Sequence, residues 1–150
     1  MREMKTTREN DVSLTEEGHE VDLREYRTSV KNWGRENLRS FPWRETRDPY
    51  HLLMAEFMLL RTQASQVEPV YQKFVSKYPS LEDLAEASRE EVQDILRPLG
   101  LSWRADRVYE TVRKLEKEHD LAVPTEKDAL LNLPGVSQYI AGAVRCFALG

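Results

Sequence analysis

The chain has 150 residues, a formal net charge of −4 and one cysteine, Cys146. That length suffices for one domain with its own core, and a single thiol excludes an internal disulfide or a metal site built from several cysteines. The longest strongly apolar run, Leu52 to Leu60, is interrupted by Glu56 and is too short to cross a bilayer; with no apolar signal segment at the N-terminus, a cytoplasmic protein with no membrane role is expected.

Residues 1–21 are polar and charged without a usable period and read as a flexible arm, leaving 22–150 as the folded domain. From Asp22, a cap, the pattern turns helical, with Leu23, Tyr26, Val30 and Trp33 on one face. Phe41-Pro42-Trp43 breaks that helix. Asp48-Pro49 reads as an N-cap followed by proline at the first helical position, opening a helix to about Gln63. A helix over about Ser65 to Lys77 follows, then a short one after Pro79-Ser80. Ser88 with Glu91 forms a capping box for the next, which ends at Pro98-Leu99-Gly100. Ser102 to His119 is a long helix, and Pro124-Thr125 opens a short one through Leu130 and Leu131. Leu133-Pro134-Gly135-Val136 then turns into a last apolar helix. No stretch alternates long enough to be a convincing strand, so the fold class is all-α.

Three stretches carry chemistry. In the turn at Leu133 to Gln138, Gly135 permits a backbone that other residues resist. The amides of Val136, Ser137 and Gln138 are expected to lie unpaired at a helix start, where they suit a phosphate; the same turn also fits an ordinary corner between helices. The helix Asp48 to Gln63 is apolar on nearly every side, so Glu56 is expected inside. There it either has a raised pKa, as befits a general acid, or holds a partner such as Arg61. Leu53, Glu56, Leu60 and Gln63 fall on one face, which places an amide near that acid. Trp103, Arg104 and Arg107 stand near the start of the long helix, where they either grip a nucleic-acid backbone or form a solvated face. His19, His51 and His119 have no metal-ligand spacing.

Taken together, "FPWRETRDPYHLLMAEFMLLRTQ", "GLSWRADRV" and "LPGVSQYIAGAV" resemble, in order and spacing, the helix–hairpin–helix DNA glycosylase superfamily, over about Phe41 to Gly150. The resemblance implies base excision from double-stranded DNA holding a mispaired or damaged base, in a cytoplasmic, nucleoid-associated enzyme. It makes Leu133, Gly135, Val136, Ser137 and Gln138 the phosphate-gripping hairpin, whose carbonyls in such turns often hold a monovalent cation. Glu56 stands where adenine glycosylases carry the glutamate that protonates the departing base. Tyr139 stands where endonuclease III-like enzymes have a Schiff-base lysine, which implies a monofunctional glycosylase. Gln63 resembles a glutamine that wedges near the lesion, and Arg104 is expected on the DNA. Adenine is the first target expected and mismatched thymine the second; the alternative is a non-catalytic DNA-binding module of the same shape. Ser137 departs from the family's second hairpin glycine. The chain also stops before the family's catalytic aspartate and its four cluster-binding cysteines. A 4Fe–4S cluster is therefore expected only in a full-length relative, and residues 1–150 alone are expected to be inactive. Tyr139, Ile140, Val144 and Phe147 are expected to form an exposed apolar face open to self-association.

Overall fold

The computed structural model describes residues 12–14 and 20–150, and the chain divides into two compact units, Met1–Arg39 and Ser40–Gly150. The sequence places the boundary earlier, at 21/22, and most of the arm read over residues 1–21 lies outside the described residues.

In the first unit Val12–Leu14 (β1) pairs antiparallel with Glu20–Asp22 (β2), in the register Val12↔Asp22, Ser13↔Val21, Leu14↔Glu20. Both strands are only three residues long, and the fold class is all-α as expected. Segments of three residues are too short to show a period of two. Helix α1, Leu23–Asn37, starts where Asp22 caps it: the carboxylate accepts from the amides of Arg24 at 2.8 Å and Glu25 at 3.4 Å. Its apolar stripe does not mark core. No residue of α1 is buried, and Tyr26 and Trp33 are 60% and 67% exposed.

The second unit is helical throughout: α2 (Pro42–Glu45), α3 (Pro49–Leu59), α4 (Ala64–Lys77), α5 (Leu81–Ala85), α6 (Arg89–Leu96), a 3-10 turn over Arg97–Leu99, α7 (Trp103–His119), α8 (Lys127–Leu131) and α9 (Gln138–Leu149). Helix α3 starts as the sequence dictates. Asp48 accepts from the Tyr50 amide at 2.8 Å, and Pro49 takes the first position, where a missing N–H costs nothing. From Leu52 to Met58 every residue is buried, so α3 occupies the centre and α2, α4, α7 and α9 pack on it. Complete burial of each large side chain such as Leu53, Phe57 or Met58 contributes about 1.5–3 kcal/mol.

The outer helices are placed by local signals. Ser88 and Glu91 close the expected capping box at α6, and Ser80 with Asp83 closes another at α5. After the 3-10 turn, Gly100 takes a φ of +67°, and the chain reverses into α7, which packs on α5 and α6. Helix α8 packs on α9, whose inner face holds Ile140, Ala141 and Val144 against the core.

If α3 is the packing centre, Phe57→Ala should lower unfolding stability by about 3–5 kcal/mol. Trp33→Ala, on the exposed stripe of α1, should change it by less than about 0.5 kcal/mol. Denaturant unfolding of the two variants beside the parent chain checks both.

Candidate functional site

Glu56 lies inside, as expected, with 8% of its surface exposed. Burial raises its pKa above the ordinary carboxylate value, and the positive charge of Arg44 opposes that rise. Among the described residues no donor lies within hydrogen-bonding distance of the carboxyl and no cation within 4 Å pairs with it. Arg61, the partner considered from sequence, is exposed on the turn after α3. Arg44, at the end of α2, acts on Glu56 instead, and its guanidinium lies 5.2 Å from the centre of the Phe147 ring of α9. The site thus joins α2, α3 and α9. Burial disfavours the charged form of this carboxyl, and the positive charge of Arg44 favours it.

Helix α3 ends at Leu59, before Gln63. Arg61 takes a left-handed φ of +54°, and Gln63 becomes the exposed N-cap residue of α4. Gln63 therefore does not extend the Glu56 face, which corrects the helical-wheel reading. The turn after α3 is hydrogen-bonded by Arg104. This arginine is expected on DNA but is 0% exposed. Its guanidinium donates to the Leu60 carbonyl, to Thr62 Oγ1 at 2.9 Å and to the Leu99 carbonyl at 3.2 Å. These acceptors take the guanidinium inward, so Arg104 cannot touch a nucleic-acid backbone.

The hairpin glycine takes the backbone conformation expected of it. Gly135 sits at a φ of +74°, and a Cβ there would come within 3.1 Å of Arg107 Cδ and 3.4 Å of Phe57 Cε1. Only glycine meets both constraints without strain. The Val136 amide is not free: it donates to the Leu133 carbonyl at 3.2 Å, closing the turn. Ser137 caps α9, its Oγ accepting from the Ile140 amide at 3.2 Å, so the hydroxyl standing in place of a second glycine has a structural task. The amides of Ser137 and Gln138 meet no acceptor among the described residues and open the N-terminus of α9. The side chains of Leu133 and Val136 are buried, so these two contribute through the backbone alone.

Two residues support the hairpin, Thr111, which the sequence did not single out, and Arg107, which it named beside Arg104. Thr111, fully buried on α7, donates its hydroxyl to the Pro134 carbonyl at 3.0 Å and ties the turn to that helix. Arg107, one turn from Arg104, lays its aliphatic stem on Gly135 and keeps its head half exposed, 3.6 Å from Glu110. A buried threonine within a charged helix is the only trace of the first in the sequence. Spacing alone does not distinguish Arg107 from Arg104.

Tyr139 is 70% exposed in the first turn of α9. The apolar face expected there is divided: Phe147 is exposed, while Ile140 and Val144 are buried at 0% and 1%. Helix α3 covers them, because it packs closely on α9. Cys146 is exposed and stands alone, which does not fit an iron–sulfur cluster, and among the described residues no three acidic, histidine or cysteine groups gather as for a metal ion. No described helix is long and apolar enough to cross a membrane.

Residues 54–144 match the family model for HhH-GPD superfamily base excision DNA repair protein. A thymine/uracil-DNA glycosylase of Methanothermobacter thermautotrophicus is 41% identical over 113 residues, covering 75% of this chain and 51% of its own length. An adenine DNA glycosylase of Mycolicibacterium smegmatis is 36% identical over 118 residues, covering 78% of this chain and 40% of its own. The chain spans about half the length of the curated relatives it matches first. The structure of a thermostable thymine-DNA glycosylase superposes with a TM-score of 0.77 at 36% identity, over 85% of this chain and 59% of that one. A non-covalent endonuclease III–DNA complex shares the fold, with a TM-score of 0.69 at 23% identity over 85% of this chain and 60% of that one.

The raised pKa of Glu56 has a consequence for stability. The folded state holds this proton to higher pH than the unfolded chain, whose glutamates titrate near about 4.3. The stabilisation is present below that value and is lost as pH rises through the folded pKa. Glu56→Gln should therefore unfold at higher denaturant than the parent at about pH 8, and the gap should close toward about pH 4. Denaturant midpoints across pH measure this directly.

Proposed function

The chain belongs to the HhH-GPD superfamily of base excision DNA repair proteins, and we propose that it carries the proton donor and the phosphate grip of a monofunctional DNA N-glycosylase. The observation that carries this reading is the burial of Glu56, whose carboxyl is driven toward its neutral form in the middle of an apolar helix.

In this reading the backbone of a duplex lies against the start of α9, where the Ser137 and Gln138 amides and the helix dipole meet a phosphate. Arg107 adds a positive charge beside the same turn. The mispaired nucleotide is rotated out of the stack at a cost of a few kcal/mol, least where pairing is already poor. The neutral Glu56 carboxyl then gives its proton to the departing base, which leaves with the electron pair of the glycosidic bond. The carboxylate left behind is stabilised by Arg44, which favours its charged form. Water adds to the sugar carbon and passes a proton to the Glu56 carboxylate, which completes hydrolysis and restores the acid. Tyr139 stands exposed at the first turn of α9, open to the extruded nucleotide. Its phenol cannot condense with the sugar aldehyde, so no imine forms and the strand stays intact until alkali cleaves it.

A monovalent cation at the hairpin would be held by main-chain carbonyls. Leu133's already accepts the Val136 amide and Pro134's the Thr111 hydroxyl. No step of the reaction is routed through such an ion. Adenine is the first substrate of this reading, because its ring nitrogens readily accept a proton; mismatched thymine is the second, supported by the 41% identity to a thymine/uracil-DNA glycosylase.

The test is single-turnover base release from adenine- and thymine-containing mismatched duplexes at enzyme excess, read after alkali, in a chain of the relatives' full length that carries these residues, because residues 1–150 span about half of that length. Glu56→Gln should bind duplex as the parent does and release base at least about 100-fold more slowly, the lower range for loss of a general acid. Equal release by parent and variant would remove Glu56 as the donor. A full-length chain that binds duplex but releases neither base would favour the non-catalytic binding module.

A further inference from the structure

Arg104 is the most deeply buried charge among the described residues, and no carboxylate pairs with it. Its pKa is lowered by burial, its three contacts are to neutral oxygens, and its Nε has no partner. An unpaired buried cation works against stability, and an apolar side chain of similar size would fill the space at lower cost. A guanidinium offers what an apolar chain cannot: a rigid fork of donors that reaches several acceptors at once. Here the fork joins two separate turns. One is Leu60–Thr62 at the end of α3, and the other is Leu99 at the end of the 3-10 turn before α7. Both supply carbonyls from the negative end of a helical segment, which receive a cation well.

The turn held in this way departs from what its own sequence favours. By apolar pattern α3 would run on through Gln63. Instead the chain leaves the helix at Leu60 and sets Arg61 at a φ of +54°, a conformation a non-glycine residue resists. The result is that Arg61 and Gln63 are presented on the surface while Thr62 between them is drawn inward to Arg104.

We propose that Arg104 is a positioning residue. It sets the turn after α3 so that Arg61 and Gln63 enter the duplex at the mispaired base, and it governs base extrusion without touching nucleic acid. This rests on the DNA glycosylase reading above. Lysine keeps the charge but carries its three donors on one nitrogen, so it lacks the planar fork whose two nitrogens reach Leu99 and the Leu60–Thr62 turn separately.

The experiment compares the parent chain, Arg104→Lys, Gln63→Ala and the double variant on a duplex with 2-aminopurine at the mispaired position, whose fluorescence rises as the base leaves the stack. Affinity for a fully matched duplex is measured beside it. Arg104→Lys and Gln63→Ala should each lower the extrusion equilibrium by about tenfold, and the double variant should fall no further, as for two residues acting through one element. Matched-duplex affinity, carried by the hairpin, should stay within about twofold, since a general loss of structure would lower both readouts. Should Arg104→Lys fail to fold, Thr62→Val removes one of its acceptors from the half-buried turn and should lower extrusion in the same selective way. Unchanged extrusion in the folded variant, or losses that multiply in the double variant, overturns the inference alone. A parent chain that binds no duplex at all overturns the functional reading and this inference with it.

Discussion

The second unit is organised by one constraint: a helix that must be buried on every side and that carries a carboxyl in its middle. From Leu52 to Met58 no residue of α3 is left to solvent, so four other helices have to close around it. That closure brings α9 against α3, and with it the hairpin that begins α9. It also brings Arg44 of α2 to the same place, between Glu56 and Phe147. Packing and chemistry therefore have one origin. The apolar side chains that stabilise the helix are the same ones that strip water from Glu56 and raise its pKa.

Two arginines give the site opposite services. Arg44 keeps an exposed head and supplies charge near an acid it does not bond. Arg104 gives up solvent altogether and spends its donors on the backbone of two turns. The first adjusts a proton's affinity and the second fixes a surface loop. Arg107 takes the role at the hairpin that spacing offered equally to Arg104, because the hairpin glycine leaves room for its stem. In a chain of net charge −4, such placement of a few cations matters more than the total.

What was legible in the sequence follows from the range of the interactions involved. Helix starts were plain at Asp48-Pro49 and Ser88, because a cap is satisfied within a few residues. The burial of Glu56 was plain because its neighbours on all sides of the helix are apolar. The need for glycine at Gly135 was plain from the turn. The end of α3 was not, since the left-handed Arg61 carries no glycine or asparagine to announce it and its turn is hydrogen-bonded by a guanidinium 42 residues from Thr62. The burial of Arg104, the choice of Arg44 over Arg61 and the tie from Thr111 to Pro134 are likewise contacts between distant segments. The stripe on α1 shows the reverse error: a correct helical period that buries nothing.

The protonation state of Glu56 is the centre of the account, and it can be followed without DNA. Selective carbon-13 labelling of glutamate, with the Glu56 carboxyl assigned through Glu56→Gln, gives its titration curve in the folded chain. Burial of the carboxyl should place the midpoint above the value of about 4.3 for an unperturbed glutamate. Mutation of Arg44 to Met should move it further upward, since a favourable positive charge is removed. A midpoint at or below the unperturbed value, or a downward move in the Arg44 variant, would contradict the assignment of Glu56 as a neutral acid held beside a cation.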